Sequence, residues 1–300
     1  MKTVLITGDS GFLGRHLKSY LESLGWVIKV SNTKVANLMD DKNLHIYNDI
    51  KFDYIFHLAA HTKAGDYCLY HKGEQFLINQ LINTNILKYW KEFQSQSKMI
   101  AMGTSCSYAP DIEMSEKNYL IGEPEDGLYT YAMTKRMLLI GLKSLSEQYG
   151  LKYLYYIPST LYGPKFDLND SHFIFDLIKK IYNGKFNNDI VELWGDGHQK
   201  RELVYIDDAI SNMINTIELE NEIFNISSGE EHTIREFANK ICDILDYDSD
   251  KIIYNENKYV GVKSKKLFPN KLNSIINKSQ KTKLNDGLYT TINYFKNKIQ

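Results

Sequence analysis

An apolar, β-branched run over residues 3–7 is followed at once by three glycines, Gly8, Gly11 and Gly14, each three residues from the next. A short apolar run closed by glycine reads as a buried strand. Residues 12–24, ending at Gly25, have the apolar spacing of a helix. A strand that turns tightly into a helix opens a parallel β-α-β crossover, so these residues commit the chain to a parallel sheet with helices on its faces. The alternation continues, with strands predicted over 27–30, 54–58, 99–102 and 154–157 and helices over 74–93 and 129–149. Beyond Pro158 the elements shorten. Strands are expected over 192–194, 203–206 and 223–226, and helices over 172–182, 207–217, 233–245 and 288–298, with Thr233 and Glu236 spaced as a capping box. The expected fold class is α/β, a Rossmann-type doubly wound parallel sheet with a smaller α/β C-terminal unit.

Glycines at this spacing let the backbone approach a pyrophosphate, which then faces the free N–H groups of the helix N-terminus. Gly8, Ser10, Gly11, Phe12, Leu13 and Gly14 are therefore candidates for dinucleotide binding, with Leu58, Ala59 and Ala60 at the end of the third strand. The acid that would hold a ribose 2′-hydroxyl after the second strand is missing; Ser31, Asn32, Thr33 and Lys34 stand there. Hydroxyls, an amide and a lysine accept a 2′-phosphate that a carboxylate repels, so NADP(H) is expected over NAD(H). On this reading residues 1–158, with returning segments over about 203–227, form a dinucleotide-binding domain, and 159–300 a substrate domain.

A formal net charge of −1 gives no global attraction to nucleic acid or to a membrane surface. Three widely spaced cysteines, Cys68, Cys106 and Cys242, suit reduced thiols better than a disulfide framework. No apolar stretch approaches a signal h-region or a membrane helix, so a cytoplasmic protein is expected, and no metal site is assigned.

Tyr131 and Lys135 lie four residues apart on a predicted helix and so share a face. An ammonium beside a phenol is expected to lower its pKa and make Tyr131 a usable proton donor and acceptor. Upstream, Thr104 and Ser105 at the end of a predicted strand can hydrogen-bond a carbonyl oxygen. Glycine loop, hydroxyl and Tyr-x-x-x-Lys, in that order, point to nicotinamide-dependent carbonyl chemistry. Each feature also has a plain structural reading: a turn, a surface pair, a solvated lysine.

The chain resembles the extended short-chain dehydrogenases/reductases that act on nucleotide sugars, and among them the GDP-L-fucose synthase family, over nearly its whole length to about Leu272. The resemblance rests on Gly103-Thr104-Ser105-Cys106-Ser107-Tyr108, the Tyr131 and Lys135 pair, Tyr162-Gly163-Pro164, Asn169-Asp170-Ser171-His172, Trp194-Gly195-Asp196-Gly197 and the run Arg201 to Asp208. It implies C4 reduction of a GDP-linked keto-sugar, with Thr104, Tyr131 and Lys135 catalytic. It also implies that Cys106 and His172 move protons at C3 and C5, which the C4 ketone acidifies. Ser105, Lys180, Trp194 and Arg201 fall where such a family seats the sugar nucleotide, and Lys263, Lys265, Lys266 and Lys271 are either near its diphosphate or a solvated basic face. Relatives pair through two long helices, here about 74–93 and 129–149, the second carrying Met133, Met137, Leu138, Ile140, Leu142 and Leu145, so a homodimer is expected. The Asp207-Asp208 pair reads as a helix N-cap with a first-turn acid.

The chain departs from the family at His61 to Tyr67, at Thr160, at Lys180 and at Phe268, which leaves open both the sugar, a 6-deoxyhexose or a heptose, and whether C4 reduction comes with or without C3/C5 epimerisation. Two other readings stand beside this one: an NAD-dependent 4-epimerase or 4,6-dehydratase of the same superfamily, and a non-catalytic dinucleotide-binding regulator. Thr104 is followed by Ser105 and Cys106, which cannot replace the Asp-Glu pair of a dehydratase.

Overall fold

The computed structural model describes residues 1–62, 67–169, 172–258, 260–276 and 281–299. In chain order the elements are β1 (Thr3–Thr7), α1 (Phe12–Ser23), β2 (Val27–Ser31), β3 (Tyr54–His57), α2 (Tyr67–Tyr70), α3 (Lys72–Phe93), β4 (Lys98–Met102), α4 (Tyr129–Tyr149), β5 (Tyr153–Pro158) and β6 (Thr160–Tyr162). Then follow α5 (Phe173–Phe186), β7 (Glu192–Trp194), β8 (Lys200–Arg201), β9 (Leu203–Tyr205), α6 (Ile206–Asn215), β10 (Glu222–Ile226), β11 (His232–Thr233), α7 (Ile234–Leu245), β12 (Ile253–Asn255), α8 (Asn270–Ile275) and α9 (Leu284–Ile299).

Six strands form one parallel sheet in the order β2-β1-β3-β4-β5-β10. The chain builds β2 on one side of β1, then crosses back to place β3 on the other. The strand order therefore reverses at the carboxyl ends of β1 and β3, where open α/β sheets bind ligands. Alternate side chains point to opposite faces, and both faces are dry. Leu5, Ile55, Met99, Tyr155 and Ile157 pack under α3 and α4, against Ile86, Trp90, Leu138 and Leu142. Val4, Ile6, Phe56, Ile100, Tyr156 and Phe224 pack under α1 and α6, against Leu17, Leu21, Ile210 and Met213. A third cluster joins α5, α7 and α9 through Phe175, Ile178, Phe237, Ile241, Leu288 and Phe295.

The elements expected from the sequence are present with shifted ends, whereas α2, β6, β8, β11, β12 and α8 lie where none was expected. α3 starts at Lys72 rather than residue 74, and α9 at Leu284 rather than 288. α6 begins at Ile206 with Tyr205 as its N-cap, so Asp207 and Asp208 both lie in the first turn. Asp208 also accepts from the backbone and hydroxyl of Thr282, at 2.8 and 3.0 Å. The expected capping box is present: Thr233 Oγ1 accepts from Glu236 N, and Glu236 accepts from Thr233 N. No helix among the described residues is long and apolar enough to cross a membrane.

Candidate functional site

At the carboxyl end of β1 the chain turns at Gly8, whose φ is +73°. A Cβ there would lie 2.8 Å from the backbone of Ala59, so only glycine lets β1 and the loop after β3 meet this closely. A Cβ on Gly14 would overlap the Gly8 carbonyl oxygen, which fixes α1 against the turn. Gly11 caps α1 without a side chain, and the first turn contains no acid. The helix therefore presents backbone N–H groups and the positive end of its dipole, a fit for a pyrophosphate.

The loop 58–60 is held from below. Thr7 Oγ1 accepts from the backbone N–H groups of Leu58 and Ala59, at 3.2 and 3.1 Å. Its own hydrogen then goes to His57 Nδ1, 2.9 Å away, and His57 Nε2 donates to Asn83 Oδ1 at 3.0 Å. This fixes the tautomer of a fully buried, neutral imidazole, whose pKa burial pushes down to about 4 despite the Asn83 bond. Asn83 Nδ2 reaches the Thr134 carbonyl on α4 at 3.3 Å, so the turn region and the helix of Tyr131 are joined by one chain of hydrogen bonds.

The region expected to meet a 2′-phosphate is more committed than the sequence suggests. Ser31 is fully buried and donates to the Ala36 carbonyl at 2.6 Å. Asn32 Oδ1 accepts from the backbone N–H groups of Lys34 and Val35, and its Nδ2 donates to Asp9 Oδ1 at 2.8 Å. Lys34 is exposed. Sequence reasoning looked for an acid after β2 and missed Asp9, which the glycine turn itself brings to that place.

β4 ends at Met102, and Gly103 passes under two tyrosines: a Cβ on it would lie 2.6 Å from the Tyr155 ring and 2.8 Å from the Tyr119 hydroxyl. Thr104 Oγ1 accepts from Cys106 N at 3.3 Å and keeps its hydrogen for donation. The 104–107 turn is braced against α4. Thr104 N donates to Tyr119 Oη at 3.3 Å, which lies 3.1 Å from Tyr155 Oη, and Tyr155 donates to the Lys135 carbonyl at 2.8 Å. Ser107 Oγ donates to the Ala132 carbonyl, and the buried Arg136 donates to the carbonyls of Ser107, Ile121 and Gly122. Thr104, Tyr131 and Lys135 are thus brought together on one rigid unit.

Lys135 is 4% exposed, with its Nζ 6.0 Å from the centre of the Tyr131 ring. Burial alone pushes its ammonium down to about 8. Tyr131 departs from the sequence-based expectation: its phenol is raised, by burial first and then by Cys106, Tyr119 and Cys68, and Lys135 is not among its causes. At 6.0 Å from the ring the cation does not offset desolvation, so the phenol is a proton donor at neutral pH. Cys68, buried on α2, is a second thiol near Tyr131 that sequence reasoning treated only as a reduced cysteine.

Cys106 is partly exposed and its Sγ lies 3.5 Å from Lys265 Nζ. His172 is the exposed N-cap of α5, and its carbonyl accepts from Phe175 and Asp176 N–H; Asp170 and Ser171 before it lie outside the described residues. Ser105 is buried in the turn. Trp194 is 46% exposed, with Lys258 Nζ 5.7 Å from its ring centre. Lys180 donates to the Glu192 carbonyl at 3.2 Å and pairs with Asp176 at the same distance. Arg201 donates to the carbonyls of Val260 and Val262, at 3.1 and 2.9 Å. Of the divergent loop, Lys63, Ala64, Gly65 and Asp66 lie outside the described residues; His61 Nε2 and Tyr67 Oη are 2.8 Å apart, and Tyr67 donates to Glu74.

Residues 4–227 match the family model described as NAD dependent epimerase/dehydratase family. The chain is 30% identical to GDP-L-colitose synthase of Yersinia pseudotuberculosis over 98% of each protein. It is 28% identical to GDP-L-fucose synthase of Dictyostelium discoideum, over 92% of this chain and 89% of that one. Among solved structures, a GDP-6-OMe-4-keto-L-xylo-heptose reductase from C. jejuni has the same fold, with a TM-score of 0.91 at 19% identity over 99% of this chain and 98% of that one.

Proposed function

The chain belongs to the NAD dependent epimerase/dehydratase family, and from that premise we propose that it reduces the C4 ketone of a GDP-linked 4-keto sugar, a 6-deoxyhexose or a heptose, with NADPH, after proton exchange at C3 and C5. The observation that carries the reading is the unit formed by Thr104, Tyr131 and Lys135. The names of the sequence relatives, GDP-L-colitose and GDP-L-fucose synthases, support the substrate class. Residues 1–158, with the return over 203–227, hold the dinucleotide, and 159–300 mainly the sugar nucleotide.

Gly8, Ser10, Gly11, Phe12, Leu13 and Gly14 line the pyrophosphate site, and Leu58, Ala59 and Ala60 the adjoining wall. The reduced nicotinamide supplies a hydride. Thr104 donates its free hydrogen to the C4 oxygen. Tyr131, kept protonated by burial, delivers its phenolic proton as charge grows on that oxygen. Lys135 stabilises the phenolate left behind and binds the ribose hydroxyls. Cys106 and His172 exchange the protons flanking the ketone, and Trp194 offers its exposed ring to the base. Lys34, exposed after β2, supports a 2′-phosphate, whereas Asp9 opposes one, with one of its oxygens taken by Asn32.

The test is incubation with NADPH and GDP-4-keto sugars in D₂O, followed by absorbance and NMR. Oxidation of NADPH with a new C4 alcohol and deuterium at C3 or C5 is expected; no oxidation with any keto-sugar refutes the reading. A 4-epimerase is the second reading, favoured by the family description. Tightly held NAD on purification, with no net oxidation, would select it.

A further inference from the structure

Outside the reductase unit, one ionisable side chain reaches Cys106 from far along the chain. Lys265 Nζ lies 3.5 Å from Cys106 Sγ and 4.0 Å from Glu125 Oε2. The Lys265 and Glu125 side chains are only 16% and 17% exposed. Carboxylate, ammonium and sulfur thus alternate across a largely enclosed space. Cys106 in turn helps to raise the Tyr131 phenol on α4.

The placement of Lys265 is built rather than incidental. On its N-terminal side, Arg201 donates to the carbonyls of Val260 and Val262. Glu231 Oε1 accepts from Ser264 Oγ at 2.7 Å and from Lys265 N itself at 2.9 Å. On the C-terminal side the buried Glu202 accepts from Leu267 N at 3.0 Å. The other oxygen of Glu202 accepts from Ser227, Ser228 and Gly229, which anchors it to the end of β10. The segment around Lys265 is therefore pinned by three side chains on both sides. The Arg201-Glu202 dipeptide braces the strap that delivers this lysine.

We infer that Lys265 is a positioning residue for Cys106: its Nζ, set between Glu125 and the sulfur, hydrogen-bonds Sγ and steadies the negative charge the sulfur carries as it exchanges a proton. The inference deepens the C3/C5 half of the proposed function and rests on that reading for its role in turnover. A thiolate takes the proton from a carbon beside the ketone, the C–H electron pair passes to the C4 oxygen as an enolate, and the resulting thiol is the proton source for the reverse step. An N–H donor from a cation stabilises the charged sulfur before it takes the proton and again once the proton has been returned.

Thiol alkylation by iodoacetamide tests this without any sugar. Cys106 is the one partly exposed cysteine, while Cys68 and Cys242 are buried and burial raises the Cys242 thiol to about 11. Cys106→Ser supplies the background. Lys265→Met is expected to slow alkylation at neutral pH about fivefold, and Lys265→Arg to keep it within about twofold of wild type. Lys265→Met should also lower deuterium uptake relative to hydride transfer. Alkylation of Lys265→Met at the wild-type rate, with circular dichroism showing a folded protein, overturns the inference; so does Lys265→Arg reacting as slowly as Lys265→Met. Wild type that alkylates fast, slows with Lys265→Met and takes up no deuterium leaves the pairing standing and removes epimerisation from the proposed function.

Discussion

Lys135→Met should stabilise the free protein while destroying its chemistry. Burial lowers this ammonium from 10.5 to about 8, with no compensating cause. A change of that size corresponds to about 3 kcal/mol by which the folded state disfavours the charge. The sign follows from proton counts. Below about pH 8 the lysine is charged in both states and the full cost applies; between about 8 and 10.5 the folded chain releases the proton that the unfolded chain keeps, and the cost falls; above 10.5 it vanishes. Wild-type stability therefore gains from this group as pH rises through that window. Methionine fills similar volume without the charge, so the variant should exceed wild type by roughly 2–3 kcal/mol at neutral pH. The gap should close toward about pH 10. Urea denaturation of both proteins across that range measures the difference, in which the titrations of other groups cancel. A gap independent of pH, or a variant weaker than wild type at neutral pH, refutes the argument.

Tyr131→Phe is expected to bind NADPH almost normally and to lower reduction by a factor of about 10² to 10⁴, measured by single-turnover oxidation of NADPH; near-normal turnover removes Tyr131 from the mechanism. Lys34→Ala should raise KM for NADPH and spare NADH, whereas Asp9→Asn should sharpen the preference for NADPH; steady-state kinetics with both cofactors in which NADH wins in wild type contradicts the 2′-phosphate reading. His57 is neutral in the fold, with its pKa lowered from 6.5 to about 4, so the unfolded chain binds the extra proton and stability should fall as pH drops between those values. Chemical melts of wild type and His57→Gln that keep a constant difference over that window count against it. α3 exposes Phe76, Leu77 and Leu81, and α4 exposes Met137 and Ile140. Light scattering should find about twice 34.9 kDa, and Leu77→Glu with Ile140→Glu should halve it; a wild-type monomer at micromolar concentration rules the dimer out.

The sheet was legible because its signals are local. β1, β3, β4 and β5 are apolar runs whose alternate residues fill two separate clusters, and Gly8, Gly11 and Gly14 report the turn by spacing alone. The bridges β8 and β11 have two residues each, too few for any period to show. Ser31 has the composition of a phosphate ligand, but its hydroxyl is consumed by Ala36, five residues on. Asp9 carries no local signal for the opposite reason: its partner Asn32 follows the neighbouring strand, 23 residues on. Periodicity placed Tyr131 and Lys135 on one face correctly, yet charge state depends on depth, which a sequence pattern does not carry.

Arg136 shows how depth and position are reconciled around Thr104, Tyr131 and Lys135. It is a buried guanidinium, 5% exposed, whose donors go to the carbonyls of Ser107, Ile121 and Gly122, and burial lowers its pKa. Backbone carbonyls accept the same hydrogen bonds without a formal charge. The 104–107 turn is thereby locked to α4, while burial alone governs Lys135 and burial, then Cys106, Tyr119 and Cys68, govern Tyr131. The arrangement gives up stability at Lys135 to place a buried ammonium beside a phenol that still holds its proton, the two states that the proposed carbonyl reduction needs.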